Sequence, residues 1–221
     1  VDLAGSDAPR ARDAFALLGA DDGEGLASAQ RVPDFNGDGI AELLVHGKTA
    51  SYLLMGPVDL HSIADVEEEA DLIISADVGR AASRMGDVNG DGLADLVFVR
   101  PGTPGLSALT VIMGGIGGGI ELPRVITKAW VEDVQDAQDG KQGRVRNLTT
   151  IAGSAFSDPG ASLAVLNWND DGYADVLILQ QSSPSLGQIV GYVLSGLELW
   201  DDPADVGLTG DWDPDFVPLA T

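Results

Sequence analysis

One nine-residue pattern, present three times, constrains the fold of this chain more than any other feature. In residues 87–95 oxygen-bearing groups stand at every second position, and Gly92 at position 6 permits the positive φ of a sharp bend. The same pattern spans residues 34–42 and 167–175, and we call the three the first, second and third loops in chain order. An aliphatic run of the kind that forms strands follows the acidic residue at position 9 in each case. The pattern therefore predicts three tight bends, each leading into a β-strand.

The donors at positions 1, 3, 5, 7 and 9 of each loop are of the kind with which proteins bind calcium. Calcium takes six to eight oxygen ligands at about 2.3–2.6 Å, from carboxylates, amides and main-chain carbonyls. We therefore predict about three Ca²⁺ ions, with a main-chain carbonyl as the ligand at position 7. The predicted ligands are Asp34, Asn36, Asp38, Ile40 and Glu42 in the first loop, Asp87, Asn89, Asp91, Leu93 and Asp95 in the second, and Asn167, Asn169, Asp171, Tyr173 and Asp175 in the third. The third site is expected to be the weakest, because it alone has no acid at position 1.

Other interpretations of the loops explain the sequence less well. A single loop of this composition would be an ordinary surface turn, because Asp, Asn and Gly are common turn residues. The helix-flanked EF-hand loop needs a bidentate Glu at position 12, where this chain has Val45, Phe98 and Ile178. Magnesium demands near-ideal octahedral geometry, and zinc favours His or Cys ligands, of which the chain has only His46 and His61. Calcium in a bend before a strand is the interpretation we favour.

Charge and composition exclude several classes of function. The formal net charge is −23 at pH 7, which argues against binding to nucleic acid or to an anionic membrane surface. No apolar run approaches the roughly 18 residues of a membrane span, so we expect none. Cysteine is absent, and the redox compartment cannot be read from the sequence. Weak calcium loops need about millimolar calcium, which favours an extracellular or cell-surface location.

The sequence around the loops repeats as well. An apolar segment and then a glycine precede each loop. The segments are residues 14–18, 72–74 and 148–151, and the glycines are Gly25, Gly79 and Gly160. After each loop come its own strand, a turn, and a second apolar strand that closes on Gly56, Gly114 or Gly196. Each repeat therefore predicts four short antiparallel strands, which is the pattern of one propeller blade.

With these features the chain resembles the FG-GAP repeat family, the calcium-bearing blades of integrin α-subunit β-propellers and of many exported bacterial proteins. The resemblance covers residues 12–200 and implies an all-β fold of three blade units in a single repeat array over residues 1–221. We expect the units at about 12–60, 70–126 and 148–200, a charged insertion at 127–147 with a helical turn near residues 130–138, and an acidic tail at 201–221. Residues 61–70 are expected to form a solvated loop, with one short helix as the alternative.

The number of units bears on function. Closed propellers have four to eight blades, so we expect an incomplete propeller or a part of a larger one, with open blade edges. The resemblance implies an extracellular, calcium-stabilised module for binding or cell adhesion, with a protein or glycan partner. The alternative is a structural subunit of an extracellular assembly, through self-association or completion by another chain. A third interpretation is an enzyme domain acting on polysaccharide. We expect no enzymatic activity, however, since no catalytic or organic-cofactor motif is present.

Overall fold

A computed structural model describes residues 16–19, 24–57, 63–81, 84–100, 108–115, 122–137, 145–149, 162–183 and 188–196. In these residues the chain is mostly β-structure with two helices, and most strand pairs are antiparallel. The strands are β1 Ala16–Leu18, β2 Ser28–Val32, β3 Glu42–His46, β4 Ala50–Leu54, β5 Ile63–Asp65, β6 Leu72–Ser75, β7 Arg80–Ala81, β8 Leu96–Arg100, β9 Ala108–Ile112, β10 Val125–Ile126, β11 Val145–Thr149, β12 Ser162–Leu166, β13 Asp175–Ser183 and β14 Gln188–Leu194. The helices are α1 Val66–Glu69 and α2 Lys128–Ala137. The prediction of a mainly β fold is confirmed.

Three sheets carry the three loops. The first has the order β10-β6-β4-β3-β2, in which β2, β3, β4 and β6 are antiparallel neighbours and β10 pairs parallel with β6. The second has the order β11-β9-β8-β7 and is antiparallel throughout. The third contains β12, β13 and β14, and β1 pairs parallel with β5 as a separate two-stranded sheet. The described strands do not close into a ring.

The apolar segments that precede the loops lie in different sheets from those we expected. The segment around β6 pairs with β4, and β11 pairs with β9, so each belongs to the preceding sheet rather than being the first strand of the next. Extended, apolar sequence specifies a strand but not its neighbour, and the shorter connection pairs each strand with the one before it. Residues 14–15 and 150–151 of these segments, and Gly160, lie outside the described residues.

The three loop-bearing sheets contribute to one apolar core. Its buried side chains include Leu44 of the first sheet, Phe98 of the second and Val165 of the third. All five residues of β4 are buried, which explains why this strand has no alternation of polar and apolar residues. A smaller cluster packs Val45 and neighbouring side chains on Val66 of α1. The loops are thus attached to strands that are anchored in a common core.

Both helices begin with a side-chain cap. The Asp65 carboxylate accepts the N–H groups of Glu67 (2.8 Å) and Glu68 (3.4 Å) at the start of α1. The Thr127 hydroxyl accepts the N–H of Trp130 (3.2 Å) at the start of α2, and both contacts satisfy donors that have no partner within the helix. The solvated loop expected at residues 61–70 is wrong for the described part, residues 63–70, which contains strand β5 and the short helix α1 that Asp65 caps. Helix α2 confirms the helical turn in the insertion. Residues 138–144 of the insertion and the tail at 201–221 lie outside the described residues.

None of the described helices has the length and apolar character needed to cross a bilayer.

Candidate metal centre

The first loop is held in its bend by its own predicted ligands. The Asp34 carboxylate accepts the main-chain N–H groups of Gly37 (2.7 Å) and Gly39 (2.9 Å). The Asn36 side chain at position 3 accepts the N–H of Asp38 (2.9 Å), and the Asp38 side chain at position 5 accepts the N–H of Ile40 (2.7 Å). These contacts turn the side-chain oxygens toward the inside of the bend, as carboxylates and amides commonly do in turns.

The second loop repeats the same contacts at the same positions. Asp87 accepts the N–H groups of Gly90 (2.6 Å) and Gly92 (2.7 Å). The N–H groups of Asp91 and Leu93 donate to the side chains at positions 3 and 5, both at 2.9 Å. The glycines at position 6 of the three loops have φ of 84°, 90° and 95°, which confirms the prediction that this position needs left-handed backbone.

The third loop keeps only part of this pattern. Asn169 accepts the N–H of Asp171 at 3.2 Å, and Asp171 accepts that of Tyr173 at 2.8 Å. Within the described residues no main-chain N–H donates to Asn167, the residue that takes the place of an acid at position 1. Asp170 at position 4 has φ of 60°, whereas the first two loops have glycine there. The third loop is therefore the least constrained of the three by its own side chains.

Three carboxylates converge in the first loop. Asp34, Asp38 and Glu42 each offer one oxygen, and these oxygens lie within 4.8 Å of one another. In the part of the chain that the structure describes, no other group of three acidic, histidine or cysteine side chains meets this distance. The equivalent acids of the second loop do not converge to this distance.

Glu42, at position 9 of the first loop, carries a buried oxygen that lacks a partner. The side chain is 2% exposed, and its Oε2 accepts the N–H of Phe35 at 2.7 Å. Its Oε1 is buried and accepts no hydrogen bond. Burial raises the pKa of this carboxyl, and the nearby charges of Asp34 and Asp38 add to the effect. A buried carboxylate oxygen without a partner is energetically costly, and a cation at this point would remove that cost.

Asp95, at position 9 of the second loop, has both oxygens engaged. Its Oδ2 accepts the N–H groups of Val88 (2.8 Å) and Asn89 (3.3 Å), and its Oδ1 accepts that of Gly114 (2.9 Å). The side chain is fully buried, and burial is the main cause that raises its pKa to about 7. The charges of the other two acids of the loop act in the same direction, and the hydrogen bonds act against it.

Asp175 of the third loop has a geometry similar to that of Asp95. Its oxygens accept the N–H groups of Trp168 (2.7 Å) and Gly196 (3.1 Å), and the side chain is 1% exposed. Gly114 and Gly196 both follow the second strand after their loop, as the sequence predicted. In both sheets the position-9 carboxylate therefore connects its loop to the end of that second strand, a role that sequence analysis did not assign to it.

The three loops lie side by side and are joined by equivalent backbone hydrogen bonds. The N–H at position 8 of the second loop, Ala94, donates to the carbonyl of Asp34 at position 1 of the first loop (3.0 Å). Ala174, at position 8 of the third loop, donates in the same way to the carbonyl of Asp87 (2.6 Å). A further N–H, that of Gly115, donates to the carbonyl of Phe35 (2.6 Å). The first loop is thus bonded to the second through its first two carbonyls, and the second loop to the third through its position-1 carbonyl.

Glycine is required where neighbouring loops approach. A Cβ atom on Gly90 would lie 2.6 Å from the ring of Tyr173 in the next loop, closer than real Cβ contacts. A Cβ on Gly114 would lie 2.7 Å from the carbonyl oxygen of Phe35 and 2.4 Å from that of Ala94. The closing glycine recognised in the sequence therefore serves close packing between backbones.

Sequence analysis missed one buried acid, Glu24. It is 3% exposed, and its carboxylate accepts hydrogen bonds from the hydroxyl and the N–H of Thr49 (the latter at 3.1 Å) and from the hydroxyl of Tyr52 (3.2 Å). Burial by itself would raise the pKa of Glu24, but these hydrogen bonds outweigh it and leave the pKa below its ordinary value. Glu24 fastens the segment before β2 to the turn between β3 and β4. No local motif marks it, because its partners are 25 and 28 residues away.

The oxygen donors of the loops suit a hard cation. The first loop fits calcium best, because it combines three converging carboxylates with a buried oxygen that has no hydrogen bond. In the other two loops the position-9 oxygens accept hydrogen bonds, but Oδ1 of Asp95 and both oxygens of Asp175 accept only one each and keep a second lone pair with which they could still bind a cation. The residues present are therefore compatible with the predicted ion in all three loops.

Comparisons with known proteins give no further guidance: no protein-family model, no curated protein and no solved structure matches this chain.

Proposed function

We propose that this chain is a calcium-stabilised module of β-propeller-type blades that serves binding or cell adhesion outside the cell. The observation that carries the proposal is the first loop, where Asp34, Asp38 and the buried, partly unpaired Glu42 converge. The two other loops extend the argument, since they repeat the donor pattern in the same bend. About three Ca²⁺ ions would bind, one in each loop.

The ion would act on stability through the carboxylates. Burial is the main cause that raises the pKa of Glu42, and the like charges of Asp34 and Asp38 at close range add to it. A divalent cation would relieve this repulsion and would supply the partner that Glu42 Oε1 lacks. Because the unfolded chain offers no such arrangement, the binding free energy would add directly to the free energy of unfolding.

Calcium is favoured over other cations by the donor set. All predicted ligands are oxygens, which suits calcium and not zinc or copper. The Nδ1 atom of His46 is engaged with the hydroxyl of Ser51 at 3.1 Å, away from the loops. Magnesium requires a more regular octahedron and retains its waters, whereas these bends supply closely spaced protein oxygens.

The blade-type architecture is supported by the sheets. Four neighbouring antiparallel strands in the first sheet, and four in the second, agree with the number of strands in a propeller blade. With the metal buried in structural bends, recognition of a protein or glycan would fall to loops between strands. A structural subunit in an extracellular assembly is the second candidate, favoured by the exposed end of the loop stack at Trp168, which is 52% exposed. A polysaccharide-acting enzyme has the least support, because the clustered acids are engaged as ligands or in hydrogen bonds.

Thermal unfolding at matched concentrations of different cations tests the metal part of the proposal. We expect millimolar Ca²⁺ to raise the melting temperature of chelator-treated protein far more than millimolar Mg²⁺ does. Equal effects of the two ions would indicate non-specific screening of the acidic surface and would overturn the assignment. For the recognition part, the calcium-loaded monomer is applied to glycan and extracellular-matrix protein arrays, with chelator as the control, and calcium-dependent capture is expected.

A further inference from the structure

Within the stack, each loop packs against the neighbouring loop. At each of the two ends of the stack, the equivalent face has no neighbouring loop. At position 2, the side chains of Phe35 and Val88 are each 1% exposed and belong to the common apolar core. The equivalent residue of the third loop, Trp168, is 52% exposed. We call this end, formed by Asn167 and Trp168, the rear face.

The opposite end of the stack is open in the complementary way. At position 7, Leu93 contacts Gly37 of the preceding loop and Tyr173 contacts Gly90, and both side chains are partly buried. Ile40 occupies position 7 of the first loop, has no preceding loop to pack against, and is 41% exposed. We call this end, formed by Ile40 and Ala41, the front face.

The backbone groups of the two faces match as well. Within the stack, the position-8 N–H of one loop donates to the position-1 carbonyl of the loop before it, as Ala94 does to Asp34. Among the described residues, the Ala41 N–H at position 8 of the first loop finds no acceptor, and the Asn167 carbonyl at position 1 of the third loop finds no donor. The front face therefore offers an N–H donor and the rear face a carbonyl acceptor. Each face also carries an exposed apolar side chain.

We propose that the front face of one copy of this chain docks on the rear face of a second copy, and so continues the loop stack across a head-to-tail interface. The argument is continuity with the contacts that already join the loops twice within one chain. It does not depend on the identity of the cation, since these contacts are made by backbone groups and apolar side chains. The interface is heterologous, so it leads to a ring if the rotation closes and to longer chains if it does not.

Residues on the two faces decide which kind of loop fits. Position 4 of the third loop is Asp170 rather than glycine, so its Cβ lies where the preceding glycines leave space. The ring of Tyr173 would collide with such a Cβ at 2.6 Å, whereas the branched aliphatic Leu93 would stand at an ordinary 3.8 Å from it. Ile40 is aliphatic like Leu93, and the front face of this chain therefore suits a rear face that carries Asp170.

One hydrogen bond of the internal contact cannot form between copies. In the second sheet the residue after the closing glycine, Gly115, donates its N–H to Phe35. The residue after the closing Gly56 of the first sheet is Pro57, which has no N–H. The net charge of −23 also opposes association. The contact between copies is therefore weaker than the contact within a chain, and we expect association that is reversible and depends on concentration.

Sedimentation velocity and light scattering test this at rising protein concentration, in millimolar calcium and 150 mM salt, where screening extends to about 8 Å. The mass of the wild-type chain is expected to rise from 22.8 kDa toward at least twice that value. Trp168→Glu and Ile40→Glu should each remain monomeric. Val125→Glu is the matched control, because Val125 is 48% exposed but lies away from both faces, and it should associate like the wild type.

Mixing the two monomeric variants distinguishes head-to-tail docking from other contacts. Trp168→Glu keeps an intact front face and Ile40→Glu an intact rear face, so an equimolar mixture is expected to form a heterodimer through one interface. A wild-type chain that stays at 22.8 kDa at several hundred micromolar would overturn the proposal. Association that survives in Ile40→Glu alone, or that is lost equally in Val125→Glu, would overturn it too.

Discussion

The first and second loops have the same pattern of donors, yet they differ at position 9. In the second loop Asp95 uses both oxygens to bind main-chain N–H groups of its own loop and of Gly114. In the first loop the longer Glu42 binds only Phe35, and its second oxygen is buried without a partner. One additional methylene group thus changes a carboxylate that is satisfied by protein atoms into one that still requires a partner.

This difference shows that a position-9 carboxylate can have two roles. It can fasten the loop to the end of the second strand after it, as Asp95 and Asp175 do. It can also complete a group of converging acids, as Glu42 does. Removal of the metal is therefore expected to destabilise the first loop more than the second, because only the first has a buried carboxylate oxygen without a partner.

Removal of the metal gives the largest expected effect. At a calcium concentration one hundred times its Kd, each site adds about 2.7 kcal/mol to the free energy of unfolding. For a chain of this size, each kcal/mol lost from the free energy of unfolding lowers the melting temperature by about 2–4 °C. Chelation at three sites should therefore lower the melting temperature by more than about 10 °C. Differential scanning calorimetry with and without chelator measures this.

Two equivalent substitutions then assign the effect to a loop. Asp38→Ala and Asp91→Ala remove the exposed acid at position 5 of the first and second loops. We expect Asp38→Ala to reduce the calcium-dependent part of the melting temperature more than Asp91→Ala does. The reverse order would contradict the comparison between the two loops.

The next effect concerns stability in the absence of metal. Asp95→Ala would leave buried N–H groups without partners, at about 1–3 kcal/mol for each, so a loss of several kcal/mol is expected in chelator. Glu42→Ala removes one hydrogen bond to Phe35 but also an unpaired buried oxygen, so its loss should be smaller. Urea unfolding in chelator measures both variants, and a loss at Glu42 equal to that at Asp95 would contradict the account.

The raised pKa of Asp95 predicts how the metal-free protein responds to pH. Because the pKa rises from 3.8 to about 7 on folding, the folded state binds the proton more tightly than the unfolded state does. Stability is therefore highest below pH 3.8 with respect to this group and falls as the pH rises toward about 7. One pKa unit corresponds to about 1.4 kcal/mol, which makes the expected loss on the order of a few kcal/mol.

Urea unfolding between pH 5 and 8 in chelator measures this dependence, with Asp95→Asn as the control that lacks the titrating group. As the pH increases, the free energy of unfolding of the wild type should fall relative to that of Asp95→Asn. A difference that is constant across this range would rule out the assigned pKa.

The smallest effect is expected in the third loop. Asn167→Asp restores the acid that the first two loops carry at position 1, and a third carboxylate should strengthen calcium binding there by several fold. Ser28→Asp adds the same charge on the exposed strand β2 and is the control for the general increase in negative charge. Calorimetric titration compares the two variants, and an equal gain in both would show that the added charge acts non-specifically.

Much of the local structure can be predicted from the sequence, because it depends on contacts between near neighbours. The bend at each loop follows from glycine at position 6, and the strand after it follows from an aliphatic run. The closing glycines and helix α2 were predicted for similar reasons. The neighbours of β6 and β11 were not, since pairing depends on distant parts of the chain that a local pattern does not specify.

The same limit applies to the candidate site. The donor positions are visible in the sequence, but the contacts between loops are not, because Ala94 and Asp34 are 60 residues apart. Nor does the sequence distinguish a satisfied Asp95 from a partly unpaired Glu42. That difference depends on how the length of the position-9 side chain fits the position of a distant main-chain N–H. For Asp95 this N–H belongs to Gly114, 19 residues away.

Isothermal titration of chelator-treated protein with Ca²⁺ tests the central claim most directly, because it counts the ions. The comparison variant combines Asp38→Ala, Asp91→Ala and Asp171→Ala, which remove one exposed acid from each loop and leave the buried position-9 carboxylates intact. We predict about three ions for the wild type and a loss of binding in the triple variant. No heat of binding at millimolar calcium, or equal binding by the triple variant, would contradict the claim that these loops hold the metal.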